Sequence, residues 1–140
     1  LFRSASGFNP DLRGFRDRGA RLILYHGWQD GPALTTVDFY ETAANAVGGI
    51  EEAVGFARLF MVPGMNHCGG GPGVNSFDFL GALEDWVEFG KAPDSLMGTH
   101  IEDNGTKGGS RPVYAYPNYA KYEGKGVPAP ENFKRQVPKQ

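Results

Sequence analysis

Asp30 and His67 each stand in a glycine-bearing turn that follows a short apolar run, and Cys68 lies directly beside the histidine. A carboxylate and an imidazole are two of the three parts a hydrolase needs to activate a hydroxyl nucleophile. The carboxylate accepts a hydrogen bond from one ring nitrogen, which fixes the tautomer and favours the transient imidazolium. The other ring nitrogen is left to take a proton. The order of Asp30 before His67 agrees with the nucleophile, acid, histidine order of the α/β-hydrolase arrangement. The nucleophile is missing: none of Ser4, Ser6, Ser76, Ser95 and Ser110 sits in a Gly-x-Ser-x-Gly turn, and Ser76 reads as a helix cap. The serine is therefore expected upstream of Leu1. The bland alternative is that Asp30 shapes a Gly-Pro turn and His67 is a solvated loop residue; spacing alone does not separate the two.

Two other chemistries fit the same loop less well. Gly69 to Gly73 follows a strand and precedes a helix, where backbone amides can cradle an anion. It matches neither a Gly-x-Gly-x-x-Gly register nor a P-loop, so the runner-up function is a non-catalytic α/β module binding a small molecule or anion there. His67 and Cys68 are adjacent, without a second Cys/His pair at finger spacing, which is a poor zinc signal. His26 and His100 read as structural, one at the end of a strand and one inside a short strand.

The elements that position these residues are legible in part. Leu22 to Tyr25 and Leu59 to Val62 are apolar at every position rather than alternating, as expected of parallel strands covered on both faces. Pro63 ends the second. Between them, Thr35 as N-cap and the face Thr36, Phe39, Tyr40, Ala43, Ala44 and Val47 predict a crossover helix over Thr36–Val47, stopped by Gly48 and Gly49. An earlier short helix is predicted from Asn9 and Pro10 to Gly19. A later one, capped by Asn75 or Ser76, runs to Phe89 with a buried stripe of Leu80, Leu83, Trp86 and Val87. His100 and Ile101 suggest a short strand before the Asp103-Asn104-Gly105 turn. Residues 103–140, rich in proline, glycine and tyrosine, read as an irregular tail packed by Tyr114, Tyr116, Tyr119 and Tyr122 onto a body formed by residues 1–102.

Composition narrows the function classes. With 14 basic against 16 acidic residues and no basic cluster, nothing marks a surface for nucleic acid or an anionic membrane. No apolar run reaches the ~18 residues of a membrane span. The chain starts at Leu1 without methionine, so it is expected to be a piece of a longer product. Its single cysteine has no partner within the sequence. Strands stripped of neighbours leave open edges, so self-association is expected of the isolated segment.

From about Asn9 to Tyr122 the sequence resembles the tannase and feruloyl esterase family of α/β-hydrolases. The resemblance rests on LILYHGWQD, RLFMVPGMNHCGGGPG, LEDWVEFGKAP and RPVYAYP, and the His-Cys pair followed by a glycine run is its most specific part. It implies the C-terminal part of an α/β-hydrolase fold and hydrolysis of galloyl or hydroxycinnamoyl esters through a serine acyl-enzyme. By resemblance His67 is the general base and Asp30 its orienting acid. Cys68 is half of a disulfide to the cysteine preceding the catalytic serine. The serine, that cysteine and a lid domain that usually carries calcium would belong to the missing N-terminal part; no cofactor is expected in this segment. The family also implies a secreted or periplasmic protein.

Overall fold

Two six-residue strands, β1 (Leu22–Gly27) and β2 (Ala57–Val62), lie parallel, with Leu22 opposite Ala57 and Gly27 opposite Val62. They come from a computed structural model that describes residues 9–124 and 129–138. Successive side chains of β2 face opposite ways, and both faces are covered. Leu59 and Met61 pack with Val37 and Tyr40, whereas Phe60 and Val62 pack with Met65, Val74 and Val113. This two-sided cover is why the strand carries no polar alternation. Leu59, Phe60 and Val62 are fully buried, each contributing about 1.5–3 kcal/mol relative to an exposed position.

The crossover between the strands is α2 (Ala33–Val47), three residues longer at its start than predicted. Pro32 takes the N-cap place, so Thr35 is not the cap; Gly48 ends the helix in the left-handed conformation, φ 111°. Its inward face anchors to β2 through the Tyr40 hydroxyl, which donates to the Ala57 carbonyl at 3.0 Å. A one-turn helix, α3 (Ile50–Ala53), completes the crossover. The N-terminal helix is shorter than predicted: α1 spans Arg13–Asp17 with Leu12 at its N-cap, and Leu12 and Phe15 pack against the α2 side of the core.

The helix after the glycine loop, α4 (Phe79–Phe89), is capped by Asp78, whose carboxylate accepts from the Gly81 amide at 2.9 Å. Neither Asn75 nor Ser76 caps it; Ser76 bridges Thr99. The predicted buried stripe is also corrected. Trp86 is buried, but Leu80 and Val87 are 67% and 63% exposed.

The expected irregular tail holds three strands among its described residues. β3 (Ser95–Ile101), which contains the anticipated His100 and Ile101, pairs antiparallel with β4 (Lys107–Tyr114) around a turn in which Gly105 has φ 82°. β5 (Tyr119–Tyr122) pairs antiparallel with β6 (Phe133–Gln136). Tyr116 packs edge-on to Tyr40 at 6.1 Å, donates its hydroxyl to Glu41, and gives its amide to Leu59 at 2.8 Å. It thereby fixes this segment to the body. Tyr119 stays exposed.

Candidate active site

Where β1 and β2 end side by side, the chain leaves each through a loop, and the two loops are stitched together by backbone bonds. Trp28 donates to Val62 at 2.9 Å and Gln29 to Met65 at 3.0 Å. The approach is possible because residue 27 is glycine: a Cβ there would lie 1.9 Å from the Asn66 carbonyl oxygen. On the histidine side the loop closes on itself at Gly73, which donates to the Gly64 carbonyl at 2.8 Å and would carry a Cβ 2.2 Å from the Pro63 oxygen. His100 buttresses this closure by donating from Nδ1 to the Gly73 carbonyl at 2.6 Å. Its structural reading therefore holds.

These loops bring Asp30 and His67 together. His67 Nδ1 lies 2.5 Å from Asp30 Oδ2. An ionised carboxylate only accepts, so Nδ1 carries the proton and Nε2 is left with a lone pair. The His67 side chain is 74% exposed while that of Asp30 is 20% exposed. The imidazole thus presents a free nitrogen from a covered acid. Hydrogen bonds from His67 first, and from His26 second, hold the Asp30 carboxyl below its ordinary range against the opposing effect of burial.

His26 meets the same carboxylate. Expected to be merely structural, it sits one residue from the end of β1, buried, with Nε2 2.7 Å from the same Asp30 Oδ2 and Nδ1 2.6 Å from Thr36 Oγ1. The two imidazole rings stand edge to face with centroids 5.4 Å apart. A signal was available: a histidine within an apolar strand, four residues before an aspartate in a tight turn.

Cys68 is exposed and carries a free thiol. Among the described serines, Ser76 bridges Thr99 through the backbone, Ser110 meets the Thr99 hydroxyl at 3.1 Å, and Ser95 opens β3. Ser4 and Ser6 lie outside the described residues.

Ligand-type atoms of His26, Asp30 and His67 lie within 4.8 Å of one another. Two donors on a tetrahedral zinc at about 2.0–2.1 Å stand roughly 3.3 Å apart. The spacings of 2.7 and 2.5 Å onto one oxygen are those of shared protons instead. Calcium, which takes six to eight oxygens, does not fit a group with two nitrogen donors. Cys68 is outside this group.

The family model described as Tannase and feruloyl esterase matches residues 3–135. A mono(2-hydroxyethyl) terephthalate hydrolase of Piscinibacter sakaiensis is 48% identical over 122 residues, which cover 84% of this chain and 20% of that protein. Feruloyl esterase B of Aspergillus niger is 34% identical over 137 residues, covering 85% and 26%. The crystal structure of feruloyl esterase B from Aspergillus oryzae superposes with a TM-score of 0.81 at 26% identity, covering 92% of this chain and 29% of that one. The chain therefore spans about a fifth to a quarter of the length of the curated relatives it matches.

Proposed function

The chain belongs to the tannase and feruloyl esterase family, and from that premise we propose that it carries the acid and general base of a serine esterase acting on esters of aromatic carboxylic acids. In this reading it is the C-terminal part of an α/β-hydrolase domain. The observation that carries the reading is the His67–Asp30 hydrogen bond at the ends of two parallel strands, where ligands bind in open α/β sheets. The substrate class is supported by the names of the relatives: feruloyl esters in one, a terephthalate monoester in the other. All are esters of an aromatic acid.

His67 Nε2 takes the proton of a serine hydroxyl as the oxygen attacks the ester carbonyl. The imidazolium formed is stabilised across Nδ1–H by Asp30. As the tetrahedral intermediate collapses, His67 returns the proton to the departing alcohol, leaving an acyl-enzyme. Water then repeats the cycle and releases the aromatic acid. The serine, the cysteine before it and the lid lie in another part of the same protein. Cys68 pairs with that cysteine and ties the histidine loop to the nucleophile loop. Any calcium belongs to the lid and enters no step here. A disulfide of this kind fits a secreted or periplasmic protein.

The test is kinetic. In the whole enzyme, with methyl ferulate and methyl gallate as substrates, His67→Ala should lower kcat by several orders of magnitude with little change in KM. Asp30→Asn should cost about 10⁴ in kcat, the loss seen for that change in the serine-protease template. The 140-residue chain alone should show no turnover, having no nucleophile. Retention of more than about a tenth of kcat by Asp30→Asn, against that ~10⁴-fold loss, would remove Asp30 from the triad.

A further inference from the structure

Asp30 Oδ2 receives two imidazoles, and only one of them, His67, has a place in the proton transfer just described. The other, His26, is buried. A buried imidazole must have its nitrogens satisfied, and both are: Nε2 faces Asp30 Oδ2 at 2.7 Å and Nδ1 faces Thr36 Oγ1 at 2.6 Å. The partners assign the protons. Because Oδ2 only accepts, His26 Nε2 carries a hydrogen. In the neutral ring Nδ1 then holds the lone pair, and the Thr36 hydroxyl donates to it. Every donor therefore points toward Oδ2 along one line, from Thr36 in α2 through His26 in β1 to Asp30. His67 meets the same oxygen from the opposite loop.

We propose that His26, set by Thr36, is a positioning residue that holds Oδ2 of Asp30 in place to receive the Nδ1–H of His67. The inference rests on the catalytic reading of Asp30 and His67 for its kinetic consequence, but not for its structural one. Asp30 sits in a turn whose own backbone bonds, Asp30 to Gly27 at 3.1 Å and Ala33 to Asp30 at 3.2 Å, fix the main chain and leave the carboxylate to rotate about its side-chain torsions. The His26 N–H removes that freedom from one side, the side shielded from solvent. When positive charge forms on His67, the stabilising oxygen is already aimed, so little reorganisation is needed at the moment of reaction. A second donor on Oδ2 also draws some charge from it, so the gain lies in placement rather than in a stronger attraction for the imidazolium. The groups that face Asp30 and titrate or carry charge are His26 and His67.

The experiment uses four variants. His26→Phe keeps a ring of similar size and removes both nitrogens. His26→Gln restores an N–H near the Nε2 position. Thr36→Val removes the hydroxyl and keeps the shape. His67→Ala is the catalytic control. In the whole enzyme with methyl ferulate, His26→Phe should lower kcat by about 10², the scale of a 1 Å misplacement, with KM nearly unchanged. His26→Gln should recover most of that loss, and Thr36→Val should fall between. In the 140-residue chain, the Asp30 carboxyl followed by carbon-13 NMR should titrate higher in His26→Phe than in the parent, and return toward the parent value in His26→Gln. A residue needed only for folding would not give this pair of shifts in a chain whose circular dichroism is intact.

If His67→Ala abolishes turnover while His26→Phe stays within threefold of the parent kcat and leaves the Asp30 titration unmoved, the positioning role is wrong and the catalytic reading stands. If His67→Ala retains activity, the catalytic reading fails, and the Asp30 titration still decides whether His26 holds the carboxylate. Should His26→Phe not fold, Thr36→Val carries the decision: an unmoved Asp30 titration with unmoved kcat overturns the proposal, and a shift in both supports it.

Discussion

Gly27→Ala tests whether the distance between two loops, rather than the identity of any functional group, sets the activity of this site. The substitution removes no donor or acceptor and asks for no left-handed backbone. Its Cβ would stand 1.9 Å from the Asn66 carbonyl oxygen and 2.1 Å from that of Met65, where real Cβ atoms essentially never approach within 3.0 Å. Both obstacles are main chain, so no side-chain rotation relieves them, and the loops must separate by at least roughly 1.1 Å. Applied to the 2.5 Å His67–Asp30 contact, that movement gives roughly 3.6 Å, beyond the 2.7–3.2 Å of an N–H···O bond. The neighbouring stitches, Trp28 to Val62 and Gln29 to Met65, would stretch with it. Overpacking costs typically about 1–3 kcal/mol of stability, and a misplacement near 1 Å about 10² in rate. The assay is kcat and KM of the whole enzyme on methyl ferulate, with the hydrogen-bonded Nδ1–H proton of His67 followed by NMR in the 140-residue chain. Gly27→Ala with kcat within threefold of the parent and that proton resonance retained would refute the reasoning.

Burial pushes the Tyr40 hydroxyl up to about 12. Below pH 10 the folded and unfolded chains are both neutral at this position; between pH 10 and 12 the unfolded chain ionises first, so stability falls across that window by about 2–3 kcal/mol from this residue. Urea unfolding at pH 9 and pH 11 should show the drop, and Tyr40→Phe should lessen it, leaving the part due to Tyr116, which burial and Glu41 also push up to about 12. The exposed thiol of Cys68 should react with Ellman's reagent at one equivalent per native 140-residue chain, and should be unreactive in the whole enzyme if it forms the proposed disulfide. Leu80, Val87 and Phe89 lie exposed on α4, so the isolated chain should sediment as a dimer or larger at micromolar concentration; Val87→Glu should shift it toward monomer, and a monomeric parent chain would count against this.

Unbroken apolar runs made β1 and β2 readable because Leu59 and Met61 face one layer while Phe60 and Val62 face another. The same kind of signal overreached at α4. Periodicity there identifies an apolar stripe but not what covers it, and among the described residues Trp86 alone in this helix is buried. The strands after residue 102 were hidden for the opposite reason. Lys107, Gly108, Gly109 and Ser110 have little intrinsic tendency toward strand; they become one because β3 lies alongside, pairing Ser110 with Thr99 and Lys107 with Ile101. Strand preference of this sort comes from neighbours rather than from the residues themselves.

The site divides along a similar line. Asp30 and His67 were legible as a pair because each stands in a turn just past an unbroken apolar strand, and the two strands end side by side. His26 was not, because it lies inside the strand, where the surrounding apolar residues invite a structural reading. Yet burial argues the other way for an imidazole. An apolar residue in a strand needs only contact, whereas a buried histidine requires partners of matching polarity for its ring nitrogens. The sequence held two within reach: Asp30, four positions on around a tight turn, and Thr36, a hydroxyl in the first turn of a helix otherwise chosen for its apolar face. Reading Thr36 as part of that apolar face counted it with the core and left His26 unpartnered. The two ring nitrogens of His26 join Thr36 to Asp30 and so place a second imidazole on the carboxylate oxygen that His67 meets.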